Sequence, residues 1–440
     1  MIVGDRFRVM VAGRALRRRN FKLFFFGQLI SVTGTWMQST AQAWLVLTLV
    51  SKHDAAFYLG LLGVTQFLPV LVLGLFGGMI ADLWPKRRTV IGTQIAAGLL
   101  AGILSVLVAL NRVEVWQLFA LGTCLGFVNA VDMPTRQSFV VEMVGREDVA
   151  NAVALNSAVF NAARIVGPAV AGILIALIGT ALCFFLNAVS YIAVVVSLLM
   201  MNETELMPAE RLAMPKSVGE VGANLAEGLK YVWRTPVVLL VVTVIALAST
   251  FGMNFNVILP AIAGGVLNVD SVGFGMLTAS MGVGALIAAL VAAAGQRPRL
   301  RLLLGGALLM GSAEVALSAT TVLPVAMFVV FLAGLGAVAM AATANAMIQV
   351  TVPGPLRGRV MAVYTTFFVG STPVGNSITG VTGSTYGTPA AVFLDGFVAI
   401  LAGLAGIAAV MRFGIRVGHG MRTPVEVASI AAGPGIPTVE

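Results

Sequence analysis

Long apolar segments, each about as long as a membrane is thick, dominate this chain and limit what it can fold into. Hydrophobic residues make up 59% of the sequence and charged residues only 10%. Roughly twelve segments of about 20 apolar residues can be recognised, centred near residues 35, 70, 100, 124, 163, 190, 248, 283, 311, 335, 371 and 400. Because a backbone in lipid must satisfy its own hydrogen bonds, the pattern predicts an all-α polytopic membrane protein with twelve transmembrane helices.

The Lys and Arg residues are distributed unevenly over the connections between these segments. Of the 27 cations, all but Lys52, Arg112 and Arg164 fall in one alternating set of connections. Cations beside membrane spans are retained in the cytoplasm, so we expect both termini on the cytoplasmic side of a bacterial inner membrane. The net charge of +9 is spread thinly over these loops, which favours orientation and anionic lipid over nucleic acid as its explanation.

The longest polar stretch inside the chain divides it into two parts. We expect an N-terminal six-helix half at 1–201, a cytoplasmic linker at 202–236, a C-terminal six-helix half at 237–412 and a flexible tail at 413–440. Within the linker, Ser217 and Glu220 have the spacing of a capping box. The apolar residues that follow share one helical face, which predicts an amphipathic helix on the inner membrane surface.

A faint internal repeat relates the two halves. Gly167 and Gly172 of the fifth segment have the same spacing as Gly375 and Gly380 of the eleventh. Such matches arise easily by chance in helices rich in Gly and Ala. A parallel six-plus-six repeat is nevertheless the plan of one large group of secondary transporters.

The loop after the second segment carries the clearest motif, GGMIADLWPKRR, which runs from Gly77 to Arg88. It resembles the signature loop of the major facilitator superfamily in its Gly, its Asp four residues later and its basic cluster, although Leu83 and Pro85 depart from the pattern. The matching residues are Gly78, Asp82, Lys86 and Arg87, with Arg88 extending the cluster. The resemblance implies a cytoplasmic latch that holds the halves together in the outward-open state. The alternative is a positive-inside loop with an incidental Asp.

The fifth segment resembles the antiporter-specific motif of the same superfamily. Gly167-Pro168 followed by Gly172 is a partial match, which favours antiport without establishing it, because glycines upstream are missing. Small residues allow close helix approach and Pro bends the span. The Arg that drug antiporters often carry in the fourth segment is missing from ALGTCLGFVNAVDMP.

Three further stretches resemble one branch of the superfamily, the enterobactin-exporter-like or transmembrane secretion effector transporters. They are ALRRRNFKLFFFGQLISVTGTWMQ from Ala15, NAARIVGP from Asn161 and AEGLKYVWRTP from Ala226. The resemblance covers nearly the whole chain in order, and it implies siderophores or hydrophobic drugs as substrates.

Arg164 is the one cation placed inside an apolar segment. It shares a helical face with Ser157, Asn161 and Pro168, and a charge at this depth is costly on the lipid side. We expect this face to line a cavity or to meet a carboxylate, for which Asp132 is the nearest candidate. Both a structural Arg–Asp pair and an anion-binding or proton-coupling role remain open.

The first segment carries an unusual polar stripe of Ser31, Thr35, Gln38 and Gln42 at helical spacing. In the superfamily the first, fourth, seventh and tenth helices line the central cavity, so the resemblance implies that this stripe contacts substrate. Similar polar residues are Thr250 and Asn254 in the seventh segment and Asn345 in the tenth. Hydrogen bonding between helices explains any one of them equally well. The first segment lacks an acid, which disfavours a strictly cationic substrate.

Three acids in or beside apolar segments are candidates for proton coupling: Asp132, Glu314 and Asp395. A buried carboxyl inside a membrane can carry a proton along the gradient. Each of the three could equally be a paired or snorkelling side chain.

These observations together predict a monomeric secondary transporter that exports a hydrophobic or amphipathic small molecule, with protons as the counter-ion. A nutrient importer of the same fold is the first alternative; a membrane-embedded enzyme and a non-transporting receptor or assembly protein are disfavoured. No Walker-type loop, metal-ligand spacing or nucleophile–base set is present in the sequence, so we expect no cofactor and no metal.

Overall fold

The computed structural model describes residues 13–207, 218–294 and 298–414, and within them all side chains except those at 74–83, 218, 221 and 294. The predicted capping residue Ser217 and the predicted tail from 415 onwards lie outside the described residues. Everything that the structure describes is helix, short 3-10 turn or connecting loop.

Six long helices form the N-terminal half and eight helices follow them. The first six are α1 (Arg19–Leu49), α2 (Ala55–Leu83), α3 (Lys86–Ala109), α4 (Val115–Val144), α5 (Val149–Leu177) and α6 (Thr180–Leu199). The others are α7 (Val218–Arg234), α8 (Pro236–Gly252), α9 (Phe255–Gly265), α10 (Ser271–Ala294), α11 (Leu300–Ser318), α12 (Leu323–Thr351), α13 (Gly354–Tyr386) and α14 (Thr388–Phe413). Since α8 and α9 are two parts of one broken span, the described residues contain twelve long spans, in agreement with the sequence prediction.

Ten of these spans are long and apolar enough to cross a membrane on length and composition alone. The other two are α1 and α13, which are long but more polar. Both carry amide and hydroxyl side chains that are buried between helices, such as Gln38 in α1 and Asn376 in α13. A polar helix is tolerated in a membrane when its polar face meets other helices.

The two halves repeat the same packing order. In the N-terminal half α1 packs against α5 and α6, α2 against α4, and α3 against α6. In the C-terminal half α8 packs against α13 and α14, α10 against α12, and α11 against α14. This correspondence is that of a parallel six-plus-six repeat. The residue limits of the halves given above stay a prediction.

Two helix pairs form the largest contacts between the halves, α5 with α10 and α2 with α13, and α9 also packs on α2 and α1. A Cβ at Gly172 would lie 2.6 Å from the backbone oxygen of Ser271, and one at Gly275 would lie 2.6 Å from that of Pro168. At the second junction, a Cβ at Gly380 would lie 2.9 Å from the backbone oxygen of Ala56. Gly172 and Gly380 are residues that the sequence repeat aligns, so the repeat corresponds to two equivalent junctions.

We call the end of the bundle that holds the α2–α3, α4–α5, α10–α11 and α12–α13 connections the basic end, and the other the opposite end. The helices turn sharply at both. At the basic end Gly145, with φ +74°, ends α4, and at the opposite end Gly387, with φ +89°, separates α13 from α14. A positive φ is adopted by Gly at little steric cost, which permits these short turns between antiparallel helices.

The linker helix α7 packs on the C-terminal half. Arg359 of α13 forms an ion pair with Glu227 at 2.6 Å and donates from Nε to Asn224 Oδ1 at 3.0 Å. Val232 is buried in the core of the C-terminal half, whereas Leu229 and Trp233 remain exposed. One apolar face of α7 therefore binds the bundle, and the other is free for the membrane surface.

Candidate functional site

The polar stripe of α1 is largely buried between helices. Gln38 Oε1 accepts a hydrogen bond from Asn187 of α6 at 2.7 Å, and Gln42 Oε1 accepts one from Gln66 of α2 at 3.2 Å. Ser31 is buried, and within the stripe only Thr35 is exposed. The amides of the stripe thus hold the N-terminal half together, while Thr35 is placed where a solute can reach it.

Arg164 has a different neighbourhood from the one predicted. Its guanidinium carbon lies 5.6 Å from the ring centroid of Trp36, and its Nη2 lies 3.8 Å from the sulfur of Met281 on α10. No carboxylate of the described residues lies within ion-pair distance of it, so the predicted pairing with Asp132 is wrong. Arg164 is half-buried at the junction of α5 with α10, where a Cβ at Gly282 would lie 3.0 Å from its backbone oxygen.

Asp132 pairs instead with Arg136, one turn further along α4. Asp132 Oδ1 accepts hydrogen bonds from Thr93 at 2.6 Å and Gln94 at 3.0 Å, both on α3. Arg136 donates to Gln28 Oε1 of α1 at 2.7 Å. This cluster ties three helices together, and its Asp side chain is only 1% exposed.

The cluster corrects the statement that the fourth span lacks an Arg. Arg136 was counted among the cations of the connections, but α4 continues to Val144 with Pro134 inside it. The i,i+4 spacing of Asp132 and Arg136 was the signal in the sequence that could have revealed the pair, since such residues share a helical face.

A second buried polar cluster lies in the C-terminal half, at the break between α8 and α9. Asn254 donates from Nδ2 to Thr379 Oγ1 at 2.9 Å, and Thr379 donates to Asp395 Oδ2 at 2.6 Å. Glu314 of α11 is fully buried with neither oxygen hydrogen-bonded. Asn254, Glu314 and Asp395 could each be recognised in the sequence, but neither Thr379 nor the proximity of the four residues was predicted.

The remaining predicted cavity residues keep some exposure. Thr250, Asn161 and Asn345 are half-buried. Thr250 donates to the carbonyl of Ala246 at 2.7 Å and Asn161 to that of Ser157 at 2.8 Å, whereas Asn345 binds Gln349 on its own helix. None of the three is held by another helix through the described hydrogen bonds, which leaves their polar groups available to a solute.

The predicted gate loop is described only in part. The side chain of Asp82 and the surroundings of Gly78 lie outside what the structure describes. Lys86 forms an ion pair with Glu142 of α4 at 2.8 Å. Arg87 donates to the carbonyl of Leu198 at 2.7 Å and pairs with Glu203, and Arg88 is exposed. In this conformation Lys86 and Arg87 therefore bind within the N-terminal half.

The halves are joined toward the opposite end. Lys52 donates to Asn268 Oδ1 at 2.6 Å, and Trp44 stacks on Phe274 with ring centroids 5.9 Å apart. Ser271 Oγ donates to the carbonyl of Gly172 at 3.0 Å. The predicted packing residues take part differently: Gly167 packs on Trp36 within the N-terminal half, Pro168 meets Gly275, and Gly172 forms the junction itself.

Comparisons with known proteins agree with this architecture. A family model described as transmembrane secretion effector matches residues 12–422. The staphyloferrin A transporter of Staphylococcus aureus is 27% identical over 274 residues, which cover 61% of this chain and 66%, just under two thirds, of that protein. The multidrug efflux pump Tap of Mycolicibacterium fortuitum is 25% identical over 375 residues, which cover 83% of this chain and 89% of Tap.

The solved structure of a D-xylose-proton symporter superposes with a TM-score of 0.64 at 13% identity, covering 89% of this chain and 96% of the symporter. This likeness shows the fold alone, and it confirms the predicted fold class. The resemblance stated from the motifs is confirmed as well, because the family model covers most of the chain. The chain is thus a multi-pass membrane protein and a transporter of small molecules, not an enzyme, and it belongs to the transmembrane secretion effector family of the major facilitator superfamily.

Proposed function

We propose that the chain exports a hydrophobic or amphipathic small molecule, of drug-like or siderophore-like chemistry, across the bacterial cytoplasmic membrane in exchange for protons. The observation that carries this proposal is the similarity to the multidrug efflux pump Tap over 83% of the chain. The staphyloferrin A transporter is a second relative that supports it. The partial antiporter motif at Gly167, Pro168 and Gly172 favours exchange. A single chain is the transport unit.

The basic end faces the cytoplasm in this proposal. Lys and Arg residues concentrate there, and cations flanking membrane spans are retained on the cytoplasmic side. Both termini then lie in the cytoplasm, and Lys52 and Arg112 face outward.

The contacts between the halves support alternating access. With the basic end in the cytoplasm, the junctions at Gly172 and Gly380 close the outer side. Export requires the halves to rock about a central site. The outer contacts, including Lys52 with Asn268, must then break when the cargo is released.

The loop at Gly78–Arg88 is proposed as the inner gate. Lys86 and Arg87 bind Glu142 and the end of α6 in the N-terminal half, which fits a latch that is released in this conformation. When the inner side closes, Asp82 with Lys86, Arg87 and Arg88 is placed to hold the C-terminal half, because a carboxylate is stabilised beside cations and facing helix N-termini.

The proposed cargo path is lined by the polar residues that keep exposure in the middle of the bundle. They are Thr35, Asn161, Arg164, Thr250 and Asn345. Arg164 stacks on Trp36 without a carboxylate partner, so its guanidinium is available to an anionic or hydrogen-bond-accepting cargo. Ser31, Gln38, Gln42 and Asn254 instead support this surface from behind.

Transport by inverted membrane vesicles tests the proposal. Vesicles that contain the chain are given labelled drugs and siderophores, with and without an imposed pH gradient, and the accumulated label is compared with that in vesicles lacking the protein. An exporter driven by protons accumulates label inside inverted vesicles only when the gradient is present. Accumulation in right-side-out vesicles instead would identify an importer.

A further inference from the structure

Four buried acceptor oxygens that have no hydrogen-bond donor lie around the break between α8 and α9 in the C-terminal half. They are both carboxyl oxygens of Glu314, Oδ1 of Asp395 and Oδ1 of Asn254. Glu314 and Asp395 are 0% exposed and Asn254 is 1% exposed. Buried polar atoms are almost always hydrogen-bonded, and a buried charge without a partner is costly. Such a group of atoms needs a positively charged or hydrogen-donating occupant.

The four oxygens belong to neighbouring side chains. A Cβ added at Gly396, next to Asp395, would lie 2.8 Å from the Cβ of Glu314. A Cβ added at Gly252, the last residue of α8, would lie 3.3 Å from Glu314 Oε2. The carboxyl of Glu314 therefore reaches the point where α8 ends and Asn254 begins the break. Thr379 links Asn254 to Asp395 from α13.

Among the described residues, no basic side chain lies near enough to neutralise these carboxyls. The helices that pack around Glu314 are α8, α12 and α14. The sequences of α8, α9 and α12 contain no charged residue, and the titratable group of α14 that faces Glu314 is Asp395. Arg301 of α11 is 13 positions from Glu314, which is roughly 20 Å along a helix. Arg357, Arg359 and Arg412 likewise belong to the basic end.

We infer that Glu314, Asp395 and Asn254, at the break between α8 and α9, form a binding site for the coupling proton. This inference rests on the proposed proton-linked export and names its site. One proton placed on Glu314 removes its charge and supplies the missing donor, which Asp395 Oδ1 or Asn254 Oδ1 can accept. Discontinuous helices are where transporters of this kind bind coupling ions.

The position of the site also suits its task. Glu314, Thr379 and Asp395 all lie within the third of their helices nearest the opposite end, which is the outer side in the proposed orientation. Asn254 belongs to the span that also carries Thr250 of the cargo path, one helical turn away. Binding or loss of the proton can thus alter the cargo path, because Asn254 and Thr250 belong to the same broken span.

Infrared difference spectroscopy tests the site without any substrate. The purified full chain in lipid is titrated from acidic to alkaline buffer, and the carbonyl stretch of a buried protonated carboxyl is followed, with its shift in heavy water as identification. We expect this band in the wild type, its loss in Glu314→Gln, and a changed frequency in Asp395→Asn and in the milder Thr379→Val. The control Glu147→Gln, at an exposed carboxyl, should leave the band unchanged.

Two results would overturn the inference. One is the absence of the band in the wild type at every pH. This result does not depend on whether any variant folds. The other is a band that Glu314→Gln and Asp395→Asn both leave intact. The titration is repeated in sodium chloride and in choline chloride, and a band that sodium abolishes would assign the site to sodium and reject the proton. Because no transport is measured, the site can stand or fall independently of the proposed export.

Discussion

Arg164 stacks on Trp36 within its own half and reaches Met281 across the junction with the other half. The half-buried Arg136, by contrast, pairs with a carboxylate. The two arginines lie on consecutive helices, yet Arg164 is held by an aromatic ring and Arg136 by a carboxylate. Removing either one should therefore have a different consequence.

We expect Arg136→Gln to destabilise the protein far more than Arg164→Gln. Loss of Arg136 leaves Asp132 buried without its cation, at a cost of about 3–5 kcal/mol. Loss of Arg164 removes a cation–π contact of about 0.5–2 kcal/mol and strands no charge. Thermal unfolding followed by tryptophan fluorescence measures both. Equal destabilisation by the two variants would mean that Arg164 has an anionic partner. As a control, adding Asp132→Asn to Arg136→Gln should recover part of the stability that Arg136→Gln loses.

Arg164→Gln should alter transport more than stability. If the guanidinium meets the cargo, export of anionic or acceptor-rich compounds should fall at least tenfold, which corresponds to a lost charge-assisted hydrogen bond of about 1.5–3 kcal/mol. Neutral lipophilic compounds should be affected much less. Uptake of matched anionic and neutral compounds by inverted vesicles provides the measurement. A uniform loss across both classes would assign Arg164 to the movement of the halves and not to the cargo.

Much of this architecture could be predicted from the sequence because it depends on local properties. The lengths of the apolar segments indicated the number of spans, and short local motifs pointed to the family. The partner of Arg164 depended on which helix faces meet, and that is set by packing between segments distant in the chain. Glu314 and Asp395 could be recognised singly for the same reason, but their proximity depends on how α11 packs against α14.

Arg136 was expected in a connection between segments, and its position inside α4 has a different physical cause. A proline such as Pro134 usually ends a helix in a soluble protein. Within a membrane, neighbouring helices satisfy the backbone groups that a proline frees. The span consequently continues to Val144 and brings Arg136 into the bundle. The polar stripe of α1 was predicted to contact substrate, but most of its side chains are buried between helices and only Thr35 remains exposed.

Asp82→Asn should reduce export while the protein stays in the membrane. The substitution removes the charge that is proposed to hold the inner gate, so the outward-open state should lose stability relative to the inward-open one. Vesicle transport, with membrane content measured on blots, tests this. Arg112→Gln, a cation outside the gate loop, is the control. Unchanged transport in the Asp82 variant would exclude the gate assignment.

The contact of Arg359 with α7 should control how firmly the linker is held. Arg359→Gln removes an ion pair with Glu227 and a hydrogen bond to Asn224. Partly exposed contacts of this kind contribute about 1 kcal/mol, so amide exchange in α7 should accelerate roughly fivefold. Hydrogen–deuterium exchange with mass spectrometry gives the rate. Arg357→Gln, an exposed neighbour on the same helix, should change the exchange rate of α7 little. Equal exchange in the two variants would mean that Arg359 does not hold α7.

Gly172→Ala and Gly380→Ala should each open the side of the bundle that is closed here. The added methyl would lie 2.6 Å from Ser271 O in the first variant and 2.9 Å from Ala56 O in the second, and backbone atoms at such distances must shift. Gly92→Ala and Gly305→Ala are matched controls, because nothing lies within 4 Å of the added carbon at either position. These controls should stabilise the protein by about 0.5–1 kcal/mol through helix propensity.

Distances between spin labels at the opposite end, placed on Leu110 and Val322, report the opening. Both junction variants should shift the population toward longer distances, and the controls should keep the wild-type distribution. The two junction variants should also resemble each other, since the glycines occupy equivalent places in the repeat. If only one of them shifted the population, the two junctions would not act as an equivalent pair, and rocking would pivot on a single helix contact.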